Sequence, residues 1–330
     1  KKKQRLLQVK SELISAISIA SGTPAKTSPM PISLVFLCIS FAVTAKKKHR
    51  AVPTLGIDGD IGDTLTSVFT KYYAKPKTMA EASAAGYSPV DGTCDPALGI
   101  AYTVGGTLSK ATPEHIYFTE DGLLAGVGVD VYGSVKPSLV AQGYFIKKAS
   151  NRYHISVTFR EAGLLCISGG SAPVVIGDRL IVNAGALALA MPVTEQGAIA
   201  SNFSRGSCFD GMGWHYFKDI SGASTQEKMN FPLAAENLLP VVLMFHNGAL
   251  NAIFFASTDV QQQMFPPRTN GWEPIPLPNP LMCGNWCDED CGFQGTYIWS
   301  TQHWYFHDYT TVKCPATASC KTSGLICCEK

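Results

Sequence analysis

The chain carries its landmarks twice. Gly62-Asp63-Thr64-Leu65 returns as Gly177-Asp178-Arg179-Leu180, and Pro76-Lys77-Thr78 with its Ala-rich sequel returns as Pro192-Val193-Thr194 with Gly197-Ala198-Ile199-Ala200. Gly92-Thr93-Cys94 and then Gly99 are answered by Gly206-Ser207-Cys208 and then Gly213, the glycine standing five positions after the cysteine both times. Recurrence in fixed order constrains the fold before any single motif does. Two copies of about this size predict tandem domains of ordinary length. The first repeat spans 62–166, a linker 167–176 follows, and the second spans 177–314. A Pro/Cys-rich insertion interrupts it at 261–292, and a Cys-rich cap occupies 315–330.

The segment before the repeats reads differently. Met30 opens an apolar run that ends in small residues at Thr44-Ala45, ahead of Lys46-Lys47-Lys48-His49-Arg50. That is the form of a secretory signal peptide over 30–45, with 1–29 an upstream extension outside the fold and 46–61 the mature N-terminal segment. The run falls short of the roughly 20 apolar residues that span a bilayer, so no stable membrane anchor is expected. Without residues 1–45 the chain holds 21 basic and 24 acidic groups, a formal charge of −3. No clustered Lys and Arg remain to make a nucleic-acid footprint.

Cysteine usage agrees with export. Ten remain after the signal: Cys94, Cys166, Cys208, Cys283, Cys287, Cys291, Cys314, Cys320, Cys327 and Cys328. An even count in a secreted chain reads as a disulfide framework. The paired Cys-x-x-Cys spacing of a thiolate zinc site is missing. Because Cys94 and Cys166 hold the places of Cys208 and Cys314, the repeat predicts one equivalent bond inside each copy. Asn202-Phe203-Ser204 is an N-glycosylation sequon, which marks Asn202 as a surface residue.

Thr78 and Glu81 have capping-box spacing ahead of alanines, with Gly86 as a stop, so a short helix is expected there. Leu65 to Tyr73 reads as a second helix. Most other patterned segments are β-branched or aromatic, among them 116–118, 127–132, 153–159, 241–245, 252–255 and 304–306. Asp121-Gly122 and Asn247-Gly248 punctuate them as hairpin turns. The expected class is α+β, predominantly antiparallel β, as a disulfide-bonded tandem duplication. In the insertion, prolines favour an extended backbone that covers a sheet edge or projects as a contact loop.

Histidine is where the copies diverge. His215, His246, His303 and His307 lie in the second, where alignment sets Ala101, Glu120, the neighbourhood of His154 and about Thr158 against them. On a strand, His303 and His307 would share a face. Three converging imidazoles with an open position would suit zinc or copper. Gly211-Met212-Gly213-Trp214-His215 with His303-Trp304-Tyr305-Phe306-His307 resembles the Gly-Met-Gly-x-His and His-x-x-x-His pattern of small secreted domains of unassigned function, a resemblance that implies export and brings no activity. Serine elbows, P-loops and dinucleotide fingerprints are absent. The expectation is a secreted, non-catalytic structural or binding protein that self-associates or meets an extracellular partner, as a matrix or mineral-associated component. The alternatives are a metal-dependent enzyme built on the second-copy histidines and a ligand-binding module.

Overall fold

Residues 124–132 show how the sequence builds this molecule. Val127, Val129 and Val131 alternate with Gly126, Gly128 and Asp130, and a period of two puts the valines on one face of a strand and the others on the opposite face. In the computed structural model the described residues are 61–67, 72–169, 176–184, 187–218, 239–257, 272–275 and 299–315. They belong to one unit, Ala51–Lys330. The expected extension and signal, most of the insertion and six of the candidate cysteines (Cys283, Cys287, Cys291, Cys320, Cys327 and Cys328) fall outside them.

Sixteen strands are present among the described residues. In chain order β1 (Thr66–Ser67) and β2 (Tyr73–Ala74) form a short pair, followed by β3 (Tyr87–Asp95), β4 (Gly99–Val104), β5 (Glu114–Phe118), β6 (Leu124–Tyr132), β7 (Ile146–Ala149) and β8 (Arg152–Thr158). A second pair, β9 (Leu180–Ala184) and β10 (Leu187–Met191), precedes β11 (Ser204–Phe209), β12 (Gly213–Phe217), β13 (Val241–His246), β14 (Ala249–Ser257), β15 (Glu273–Ile275) and β16 (Trp299–Tyr305). Leu65 to Tyr73, expected as helix, instead contains β1 and the first residue of β2, because Thr66 and Ser67 pair with both Ala74 and Tyr73 and with β16. Ladder hydrogen bonds on both sides outweigh the local helical preference.

The strands make two antiparallel sheets of eight. The first runs β10-β9-β8-β6-β5-β4-β3 with β7 also on β8; the second runs β11-β12-β13-β14-β16-β1-β2 with β15 also on β16. The two orders match strand for strand, and the N-terminal pairs have changed places. β1 and β2 complete the second sheet, while β9 and β10 complete the first. Each sheet thus draws strands from both of the spans expected as repeats.

Each sheet turns one face toward a shared core. Ile116, Val127, Val129, Ile155 and Val157 of the first sheet join Leu243, Ile253, Phe255 and Trp304 of the second in one cluster. Phe159 and Phe306, one residue past β8 and β16, meet with ring centroids 5.3 Å apart. Full burial of such a side chain contributes about 1.5–3 kcal/mol, so this interface is the main source of stability.

Three short α-helices are present among the described residues, α1 (Met79–Ala84), α2 (Pro137–Ala141) and α3 (Glu195–Ala200), with one 3-10 turn at Tyr309–Thr311. The Thr78 hydroxyl accepts from Glu81 N at 3.1 Å, and Glu81 Oε2 accepts from Lys77 N at 2.7 Å. Thr194 caps α3 the same way through Gly197 N at 3.1 Å. Gly99 and Gly213 have φ of 93° and 91°, and a Cβ at either would run into the carbonyl oxygen of Phe118 or Phe245. Only glycine supplies both the conformation and the close approach. The expected bonds are formed: Cys94–Cys166 and Cys208–Cys314, each with Cα atoms 5.8 Å apart. Helix is thus a minor component, and the described molecule is mostly antiparallel β-sheet with two disulfides.

Candidate functional site

The first sheet carries ionisable groups on the face away from the shared core. Register brings them together from three strands. Asp130 of β6 lies directly across from His154 of β8, while His115 and Tyr117 of β5 lie across from Gly128 and Gly126 of β6. The two glycines leave room above the strand for rings from either side. A Cβ at Gly128 would come within 2.8 Å of His154 Cε1.

His154 Nδ1 is 2.9 Å from Asp130 Oδ1, and His154 Nε2 is 2.7 Å from the Tyr117 hydroxyl. His115 Nε2 approaches the same Asp130 Oδ1 at 3.2 Å, but off hydrogen-bond geometry. Arg152 Nε stands 3.8 Å from Asp130 Oδ2. Side-chain exposure is 7% for His115 and 1% for both Asp130 and His154. Burial opposes charge on Asp130, yet the hydrogen bond from His154 and the close polar and Coulombic pull of both imidazoles outweigh it and hold the carboxyl well below its ordinary range. Burial dominates at His154 and pulls its imidazole down to about 4, against the pull of Asp130. Burial also raises the Tyr117 phenol, with the Asp130 charge adding to it.

Among the described residues, His115, Asp130 and His154 are the one group of three or more His, Cys, Asp or Glu whose ligand atoms lie close enough to share an ion, all within 4.8 Å of one another. The four histidines singled out by sequence do not form such a group. His215 is fully buried on β12 among Phe209, Phe217 and Phe254. His303 on β16 contacts Phe254 from another strand, with Nδ1 3.4 Å from Glu273 Oε2. His246 ends β13 at the Asn247-Gly248 turn, 3.1 Å from the Asn247 amide. His307 lies beyond the end of β16, against Gly62, so the shared strand face expected for His303 and His307 does not arise. Register also revises the alignment. His303 takes the place of Ser156, and His307 that of Arg160.

The two sheets serve as an internal comparison. Phe118 and Phe245 each sit after a register shift and pair with Leu124 and Leu250. Counting from them, His115, Tyr117, Gly128, Asp130 and His154 stand where the second sheet has Val242, Met244, Phe254, Ala256 and Thr301. Four of these five positions are apolar there, so the same architectural places are filled without the cluster. These residues carry no motif in the sequence because three well-separated positions meet only through strand register. The available signal was Asp130 inside a β-branched run whose same-phase neighbours are glycine.

A second buried polar group lies between the sheets. Glu114, on the core side of β5, forms an ion pair with Lys75 and accepts from Gln302 Nε2 at 3.0 Å. Burial opposes charge on Lys75, but Glu114 and Tyr87 prevail and hold the ammonium above its ordinary value. No protein-family model, curated protein or solved structure matches the chain.

Proposed function

We propose that this is an extracellular, non-catalytic structural or binding protein, a product of tandem duplication that associates with itself or with an extracellular partner as a matrix or mineral-associated component. The observation that carries this reading is the reciprocal placement of β1-β2 and β9-β10, with a disulfide closing each half. Such cross-linking suits a module that must keep its shape outside the cell, where disulfides persist. Its clustered ionisable groups are buried and engaged with one another, an arrangement that favours holding over turnover. The exposed Asn202, at φ 60° just after α3, is accessible to a glycan.

The test is sedimentation of purified secreted protein across a wide concentration range, beside a hydrolase panel with and without added zinc or copper. The expected result is reversible, concentration-dependent assembly without turnover. A monomer at every concentration whose hydrolytic activity disappears on chelation and returns with metal would overturn the reading in favour of a metal-dependent enzyme.

A further inference from the structure

We propose that His115, Asp130 and His154 form a binding site for one divalent transition-metal ion of the zinc type. Two imidazole nitrogens and one carboxylate oxygen are a donor set that zinc accepts while keeping a fourth position open. Two of the three donor separations already fit, and the third lies within 4.8 Å. Bonds of about 2.0–2.1 Å in a tetrahedron place donor atoms about 3.3 Å apart, and Asp130 Oδ1 lies 2.9 Å from His154 Nδ1 and 3.2 Å from His115 Nε2.

Two further observations point to an ion. His115 Nε2 and Asp130 Oδ2 are buried polar atoms that make no hydrogen bond, only ion-pair contacts at 3.2 and 3.8 Å, and burying a polar atom without a hydrogen bond costs about 1–3 kcal/mol. An ion between the imidazoles would engage the histidine lone pair directly. The Tyr117 hydroxyl on His154 Nε2 is the outer partner that ligating histidines ordinarily have: it fixes the ring and leaves Nδ1 for the metal. Arg152, near the other carboxylate oxygen, orients Asp130 from outside. The second sheet shows that the fold does not need these groups for packing, since Val242, Ala256 and Thr301 fill the equivalent positions.

The experiment uses the full chain without an affinity tag, stripped with chelator and dialysed against zinc, with bound metal counted by mass spectrometry. One zinc per chain is expected. His115→Val, which imports the residue of the second sheet, should remove it while circular dichroism and the melting transition keep their folded form. Tyr117→Phe should keep the stoichiometry and weaken affinity about 10-fold. His303→Val should leave uptake unchanged. Should His115→Val fail to fold, His115→Gln and visible absorption of bound cobalt replace it, and the four-coordinate cobalt spectrum should vanish. Folded wild-type protein without stoichiometric zinc, full uptake by a folded His115 variant, or loss of uptake in His303→Val would each overturn the site. None of these outcomes depends on whether the protein assembles.

Discussion

Replacing Glu114 by Val should destabilise the protein by about 3–5 kcal/mol, because it leaves the Lys75 ammonium, 10% exposed, without its carboxylate between two sheets. The structure also supplies the remedy. Val241 holds the place of Glu114 in the second sheet, and Met191, which follows Ala190 as Lys75 follows Ala74, holds the place of Lys75. The equivalent positions thus hold an ion pair in one case and two buried core residues, Met191 and Val241, in the other. Lys75→Met alone should cost about 3 kcal/mol, since Glu114 would keep only Gln302 and Ser67. Lys75→Met with Glu114→Val should return to within about 1 kcal/mol of the parent, the residue of the loss being the Gln302 amide, which retains Trp304 Nε1 on its oxygen. Urea unfolding of the disulfide-intact proteins, extrapolated linearly, measures all four corners of the cycle. A coupling energy of about 3 kcal/mol or more is expected. If the double variant loses as much as the two single variants together, the pair is not the isolated buried unit argued for, and the equivalence of the two pairs of positions fails.

Two other outcomes follow from the same coordinates. Removing Cys94–Cys166 or Cys208–Cys314 as Ala pairs opens loops of 72 and 106 residues, and the chain-entropy relation puts the losses at about 4.4 and 4.8 kcal/mol; equal unfolding midpoints with and without the bonds would contradict it. In metal-free protein the lowered imidazole of His154 should make acid destabilising, since the unfolded chain takes up that proton first. Its contribution is complete above the ordinary value of 6.5 and is lost as pH falls to about 4, a loss of at most about 3 kcal/mol. The depressed Asp130 carboxyl extends the loss to lower pH, and His154→Thr should flatten the slope of stability between pH 6.5 and 4.

Local chemistry was legible in the sequence, and long-range pairing was not. Cys94, Cys208, Thr78, Thr194, Gly99 and Gly213 announce themselves by residue type, since few others can bond, cap a helix or accept positive φ. Their recurrence was enough to pair the cysteines. Thr66 and Ser67 carry no such mark. Two residues are too few to show periodicity, and their partner on β16 lies 239 positions away. The histidine cluster escaped for a related reason. Counting imidazoles favours the second copy, whereas convergence depends on which residues fall opposite glycine in the ladder, as His115 does at Gly128.

The traded strand pairs also set an order of assembly on the ribosome. β9 reaches β8 soon after β8 is made, so the first sheet acquires all its strands early. Thr66 has no neighbour in β16 until 239 more residues have been added, about 12–50 s at ordinary rates of synthesis. Once made, Glu114 waits for Gln302 until β16 follows, and the valines of β6 have no opposing strands until β11 to β14 are added. The nascent first half is thus a finished surface awaiting its cover.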